Sequence, residues 1–187
     1  PRTAAWQHVE ARSGFEVVYF HTIDHGWRID GCTTAVEDGH TWIVDYTVEV
    51  DRSWTTRGAR VSGRSAAGSR TTTLTADGTG RWRIDGEAAA HLDGCRDVDL
   101  ESSAMTNAFP VRRMRLAAGA RAEAPAAYVR AADLAVERLE QTYERVTDEA
   151  GQQHYDYAAP VFDFACRLVY DNSGLALAYP GIATRVT

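Results

Sequence analysis

Strict alternation of apolar and polar residues constrains this chain more than any other feature. From Thr41 to Val50, TWIVDYTVEV places Trp42, Val44, Tyr46, Val48 and Val50 on one face. Ile43, Asp45, Thr47 and Glu49 take the other. Successive side chains of an extended chain point to opposite faces, so this run is a strand with one face buried and one wet. Near the C-terminus VFDFACRLVY repeats the design, with Phe162, Phe164, Cys166, Leu168 and Tyr170 inward. Shorter runs at Phe15–Ile23, Arg70–Ala76, Trp82–Asp85 and Leu175–Tyr179 read as further strands. Two stretches depart from the pattern. Ala117–Ala127, Ala-rich with Gly119 and Pro125, is expected to loop over the surface. Asp133–Val146 carries Val136, Leu139, Tyr143 and Val146 on one stripe, and that spacing predicts a helix.

The punctuation is as regular as the strands. Asp24-His25-Gly26-Trp27, Asp51-Arg52-Ser53-Trp54, Asp77 to Trp82 and Asp171 to Leu175 each close a strand with Asp and open the next with Trp or Leu. Asp hydrogen-bonds its own backbone in such turns, and Gly accepts a positive φ. The pentapeptide WRIDG occurs twice, at 27–31 and 82–86. A long meander of hairpins in one mainly β domain, residues 1–187, accounts for all of this.

Composition removes several classes of function. At 187 residues and 44% hydrophobic, the chain can bury a sizeable core. A net charge of −6 argues against a duplex-binding surface, so no nucleic-acid partner is expected. All 20 basic residues are Arg, which excludes a Schiff-base or P-loop lysine. Cys32, Cys95 and Cys166 form no CxxC pair and are read as reduced thiols, without a zinc ribbon. No apolar run approaches the roughly 20 residues that span a bilayer. Pro1–Arg12 lacks the apolar core of a secretory leader, so the expected location is the cytoplasm.

Few residues announce chemistry. His21 and His25 fall on a strand and its turn, about 13 Å apart, too far for a shared metal. No GxSxG, GxGxxG or Walker loop occurs. Neither a cofactor nor a metal is expected. The least ordinary segment is His91–Leu116. Asp97 and Asp99 alternate around Val98 and share one face of a strand. If Pro110–Leu116 is also a strand, Arg112 lies on the apolar face with Met114 and Leu116 and needs a buried carboxylate partner. Asp97 and Asp99 are the nearest acids able to supply it. The cluster is either a polar floor for a ligand headgroup or an internal ion pair that fixes register. Among the tryptophans, Trp42 and Trp82 face the core, whereas Trp27 and Trp54 follow turns, placed to rim an opening or to pack a hairpin end.

Several motifs together resemble a known bacterial family. They are EDGHTW (37–42), Tyr46 with DRSWTTR (51–57), GRWRIDG (80–86), LDGCRDVDL (92–100), TNAFPVRR (106–113) and Gly174-Leu175 followed by Tyr179-Pro180-Gly181. In order they cover almost the whole chain, and they resemble the putative glycolipid-binding family, formerly a domain of unknown function. The resemblance implies a spiral β-roll, a long antiparallel sheet wrapped around a helix, similar to carriers that shuttle lipoproteins between membranes. It also favours a strand at 133–146, where that family tends to carry Pro. The implied function is non-catalytic binding of a glycolipid or other amphipathic ligand. Asp97, Asp99, Asn107, Arg112 and Arg113 would meet a polar headgroup, and Tyr46, Trp54 and Tyr179 would line the way in. Two alternatives stand behind it: an interaction module with a filled core, and a hydrolase using Asp97 and Asp99 as acid and base.

Overall fold

Residues 1–186 are described by a computed structural model. The meander is present. β1 (Thr3–His8), β2 (Ser13–Ile23), β3 (Gly26–Glu37), β4 (His40–Asp51), β5 (Thr56–Ser65), β6 (Gly68–Ala76), β7 (Trp82–Ile84) and β8 (Glu87–Ala88) pair in sequence, each antiparallel to the last. The chain then crosses the interior as β9 (Asp97–Leu100) and a single short helix, α1 (Ala108–Met114). It returns through β10 (Arg121–Glu123), β11 (Ala126–Val129), β12 (Val136–Leu139), β13 (Thr142–Arg145), β14 (Gln153–Ala159), β15 (Phe164–Tyr170), β16 (Ala176–Tyr179) and β17 (Ala183–Arg185). Because β17 pairs with β1, the two halves join into one antiparallel sheet of fourteen strands, β10-β13-β14-β15-β16-β17-β1-β2-β3-β4-β5-β6-β7-β8. A second sheet, β12-β11-β9, contains one parallel pairing, β11 with β9.

The roll closes around α1. Ala108, Phe109, Pro110 and Val111 are all buried. Ala108 and Phe109 belong to the core formed with β1–β6, while Val111 packs with Tyr143, Tyr155, Leu168 and Tyr170 of the other half. Every residue of β9 and of β11 is buried too. A strand enclosed on both faces reads as uninterrupted burial rather than alternation.

Local chemistry explains the hairpins. Asp51 Oδ1 accepts the amides of Ser53 and Thr55, Asp77 Oδ1 those of Thr79 and Arg81, and Asp171 Oδ1 those of Ser173 and Leu175. In all three turns one carboxylate binds the N–H groups two and four residues on. The Asp24 turn is tighter, with Ile23 directly opposite Gly26.

Three expectations are corrected. Asp133–Val146 is not a helix but β12 and β13, joined by Glu140 and Gln141. The inward residues there are Leu139, Gln141 and Tyr143 at a spacing of two, and the buried Gln141 accepts a hydrogen bond from Tyr157 Oη at 2.9 Å. Ala117–Ala127 is not all surface loop: β10 lies at the edge of the large sheet, and Ala124, Ala126 and Ala127 are buried. Pro110–Leu116 is helical as far as Met114, with Pro110 in the first turn, where its missing N–H costs nothing.

A buried acid fastens the interior segment to the sheet. Glu16, fully enclosed on β2, accepts hydrogen bonds from Tyr46 Oη (2.6 Å), Ser103 Oγ, Ala104 N (2.8 Å) and Met105 N (3.3 Å). Tyr46 reaches it by lying over Gly31, directly opposite on β3, where any Cβ would collide with the phenol ring. Burial raises the Glu16 pKa, and its donors pull it back only in part. Glu16→Ala strands two backbone amides that have no other acceptor. We expect it to cost at least about 2–3 kcal/mol in urea unfolding; a variant as stable as the parent would contradict the assignment.

Candidate functional site

A cavity of about 220 Å³ opens where β9 and the segment after it face β14–β16. Asp99, Glu101, Ser103 and Asn107 come from the interior segment, Tyr128 stands beside Asp99 on the neighbouring β11, and Tyr157, Phe164 and Tyr179 come from the large sheet. Leu139, Ile182 and Phe162 complete an apolar rim, with Arg12 beside them. Burial pushes the pKa of Tyr128, Tyr157 and Tyr179 upward, so at neutral pH all three are uncharged phenols.

The interior segment positions the polar wall. Thr106 Oγ1 donates to Asp99 Oδ1 (2.8 Å), and Asn107 Oδ1 accepts from Tyr143 Oη (2.8 Å) while its carbonyl accepts from Tyr170 Oη (3.2 Å). Asp99 is 7% exposed. Its burial raises its pKa to about 6, Thr106 opposing and the Asp97 charge adding to the rise. Arg12 was missed in the sequence, where it is one arginine among many between two strands. Its guanidinium lies 5.2 Å from the Trp42 ring, and Nε and Nη1 are buried without a hydrogen bond. The Glu37 carboxylate stands 3.8 Å from Nε.

The structure divides the residues singled out in the sequence. Asp99, Asn107 and Tyr179 meet in the cavity. Asp97 and Arg113 do not line it; they form a two-pronged ion pair, Nε to Oδ1 at 3.0 Å and Nη2 to Oδ2 at 2.6 Å. That pair ties β9 to α1. Arg112, expected to pair with Asp97 or Asp99, instead lies over the Trp54 ring, its guanidinium carbon 4.0 Å from the ring centroid. Consecutive residues on a helix point about 100° apart, so the two arginines diverge where a strand reading put Arg112 alone inward. Tyr46 is occupied by Glu16. Trp54 stacks on Trp27, ring centroids 4.5 Å apart, and rims no part of this cavity.

The remaining chemistry is sparse. Burial pushes the Cys32 and Cys95 thiols to about 11 and Cys166 to about 12, away from thiolate reactivity. Among the described residues no three His, Cys, Asp or Glu side chains gather as a metal site. Among the described residues no helix is long and apolar enough to cross a membrane.

Comparison with known proteins matches this architecture. A family model described as putative glycolipid-binding covers residues 3–185. A crystal structure of a DUF1089 family protein from Pseudomonas aeruginosa is 34% identical, with a TM-score of 0.80 over 91% of this chain and 92% of that one. A β-barrel-like protein of the domain of unknown function DUF1849 from Brucella abortus is 9% identical and covers 100% of this chain and 94% of its own, with a TM-score of 0.51. That second likeness is one of fold alone. No curated protein matches the sequence.

The raised Asp99 pKa has a thermodynamic consequence. The folded chain holds this proton up to about pH 6, whereas the unfolded chain releases it near pH 4. Between those values the native state binds more protons, so ionisation penalises folding as the pH rises. Asp99→Asn keeps the acceptor for Thr106 and cannot ionise. Its unfolding free energy relative to the parent should therefore rise by up to about 3 kcal/mol between pH 4 and pH 7. A difference independent of pH would mean that Asp99 is not held neutral.

Proposed function

We propose, from the premise that the chain belongs to the putative glycolipid-binding family, that the cavity takes the polar end of a glycolipid without chemically altering it. One observation carries this reading: hydroxyl-binding groups and aromatic rings line the same cavity. Sugars present hydroxyl edges and apolar faces together. Asp99, Asn107 and Ser103 suit the edges, and Tyr128, Tyr157, Phe164 and Tyr179 suit the faces.

Volume limits what enters. A cavity of about 220 Å³ suits a headgroup of about one sugar ring, with the acyl chains leaving over the apolar rim. There, Val161 is 70% exposed and Phe162 45% exposed on one short turn, with the Phe162 ring 5.5 Å from Tyr128. Exposed apolar residues beside a polar cavity give an emerging chain a surface to lie on, at about 0.8 kcal/mol per buried CH₂.

Binding is favoured over hydrolysis by the state of the acids. A glycosidase needs two carboxyl groups flanking the bond, one of them free to attack or activate water. Asp97, the partner that the sequence suggested for Asp99, is committed to Arg113 and lies outside the cavity, and Glu101, the other carboxylate lining it, already accepts the Ala131 amide at 2.7 Å. A filled interaction module fits less well, since the wall of the cavity is polar on one side and open.

Native mass spectrometry after exposure to a total lipid extract tests the proposal. A retained adduct of lipid mass, lost on denaturation and with its glycosidic bond intact, is expected. Phe162→Ser should weaken retention about five- to thirtyfold, the worth of one partly buried phenyl ring, with an unchanged circular dichroism spectrum. Bare protein at the sequence mass would remove the proposal, and an adduct already stripped of its sugar would replace it with hydrolysis.

A further inference from the structure

A second concavity, about 380 Å³, lies at the C-terminal end of α1 and shares no wall residue with the cavity described above. Trp54, Arg112, Arg115, Arg145, Asn172 and Gln153 line it. Three guanidinium groups in one groove stand out in a chain whose net charge is −6.

The nearby acids do not neutralise them all. Arg145 is matched by Asp148, with contacts of 3.3 and 2.8 Å, and donates through Nη1 to the Leu116 carbonyl at 2.9 Å. Asp171 is engaged by its own turn and by Arg185. The guanidinium groups of Arg112 and Arg115 make no hydrogen bond and no ion pair among the described residues. Burial lowers the Arg112 pKa to about 10, Asp171 partly opposing, so it remains charged at neutral pH.

Arg112 is held in place without its hydrogen bonds being used. Its guanidinium lies on Trp54, which stacks in turn on Trp27 at 4.5 Å. Gly174, at φ +75°, packs so close that a Cβ there would sit 3.0 Å from Arg112 Cγ. Nε is buried against this turn without a partner, which leaves the Nη edge to act as donor. Stacking fixes the plane of a guanidinium and costs none of its N–H groups, an arrangement suited to planar recognition of an oxyanion.

We propose that this groove is an oxyanion site taking a phosphate group, gripped by Arg112 and Arg115, with the Asn172 and Gln153 amides as neutral donors. Two unpaired guanidinium groups match a dianion better than a singly charged carboxylate, and Arg binds phosphate with paired N–H donors. The carbonyls ending α1 oppose an anion, but one seven-residue helix carries a smaller charge than two arginines. The phosphate could belong to a free metabolite or to a lipid headgroup.

Isothermal titration calorimetry on the full chain separates these sources. The probes are inorganic phosphate and dihexanoyl phosphatidic acid below its micelle-forming concentration, with acetate as control at equal ionic strength. At least one phosphate probe should bind with a dissociation constant below about 1 mM, and acetate more weakly. Arg115→Gln, an exposed position, should weaken binding about tenfold or more. Arg112→Gln should do the same if its near-ultraviolet spectrum shows a folded chain, and Arg115→Gln decides if it does not. Response to free phosphate assigns a soluble ligand, and response to the lipid probe alone assigns a headgroup. Absence of binding by both probes, equal binding of acetate, or undiminished binding by Arg115→Gln would overturn the site. The glycolipid proposal stands or falls separately, because its residues are different.

Discussion

The structure depends on one constraint: a segment of chain runs through the inside of a β-roll, and every buried amide and carbonyl on it needs a partner. An unpaired buried group costs about 1–3 kcal/mol, so a bare peptide crossing this interior would unfold the domain. The sheet answers with side chains. Glu16 of β2 receives the amides of Ala104 and Met105, and Thr33 Oγ1 of β3 donates to the Ser102 carbonyl at 2.8 Å. Thr56 Oγ1 accepts the Val98 amide at 3.0 Å, and Trp82 Nε1 donates to the Cys95 carbonyl at 2.9 Å. Tyr170 closes the series from the opposite half of the roll, on the Asn107 carbonyl.

The candidate cavity follows from that solution. Because the inner segment is anchored residue by residue, its side chains are placed with little freedom, and Asp99, Ser103 and Asn107 form a fixed polar wall. The Asp97–Arg113 pair ties the start of β9 to the last turn of α1, so it shapes the site without entering it. Since α1 has only seven residues, it fills one part of the roll and leaves space beside it. Its far end carries Arg112 and Arg115 into the separate groove.

Much of this was legible in the sequence. The alternating runs became β2, β4, β6, β15 and β16, and the Asp-led turns close hairpins because each depends on contacts within a few residues. What failed depended on distant partners. Residues 133–146 kept a helical stripe only while Gln141 counted as polar and outward; its hydrogen bond with Tyr157 makes it an inward residue of a strand. Glu16 was invisible for the opposite reason. Phe15, Val17 and Tyr19 look like the buried face of β2, yet they are 49%, 38% and 51% exposed, while the acid between them points inward. Arg112 and Arg113 could be assigned opposite roles only once α1 was seen to be a helix. The motifs carried the family and the roll, but they could not separate the residues that face the cavity from those that hold it in shape.

The most direct test is to map chemical shifts in the isotopically labelled protein while a soluble short-chain glycolipid is titrated in. Perturbations should concentrate on Asp99, Asn107, Tyr157, Phe162 and Tyr179, with Glu16 and the Asp97–Arg113 pair unmoved as framework. Shifts confined to the outer face of β2 around Phe15–Tyr19, or none at saturating ligand, would contradict the account.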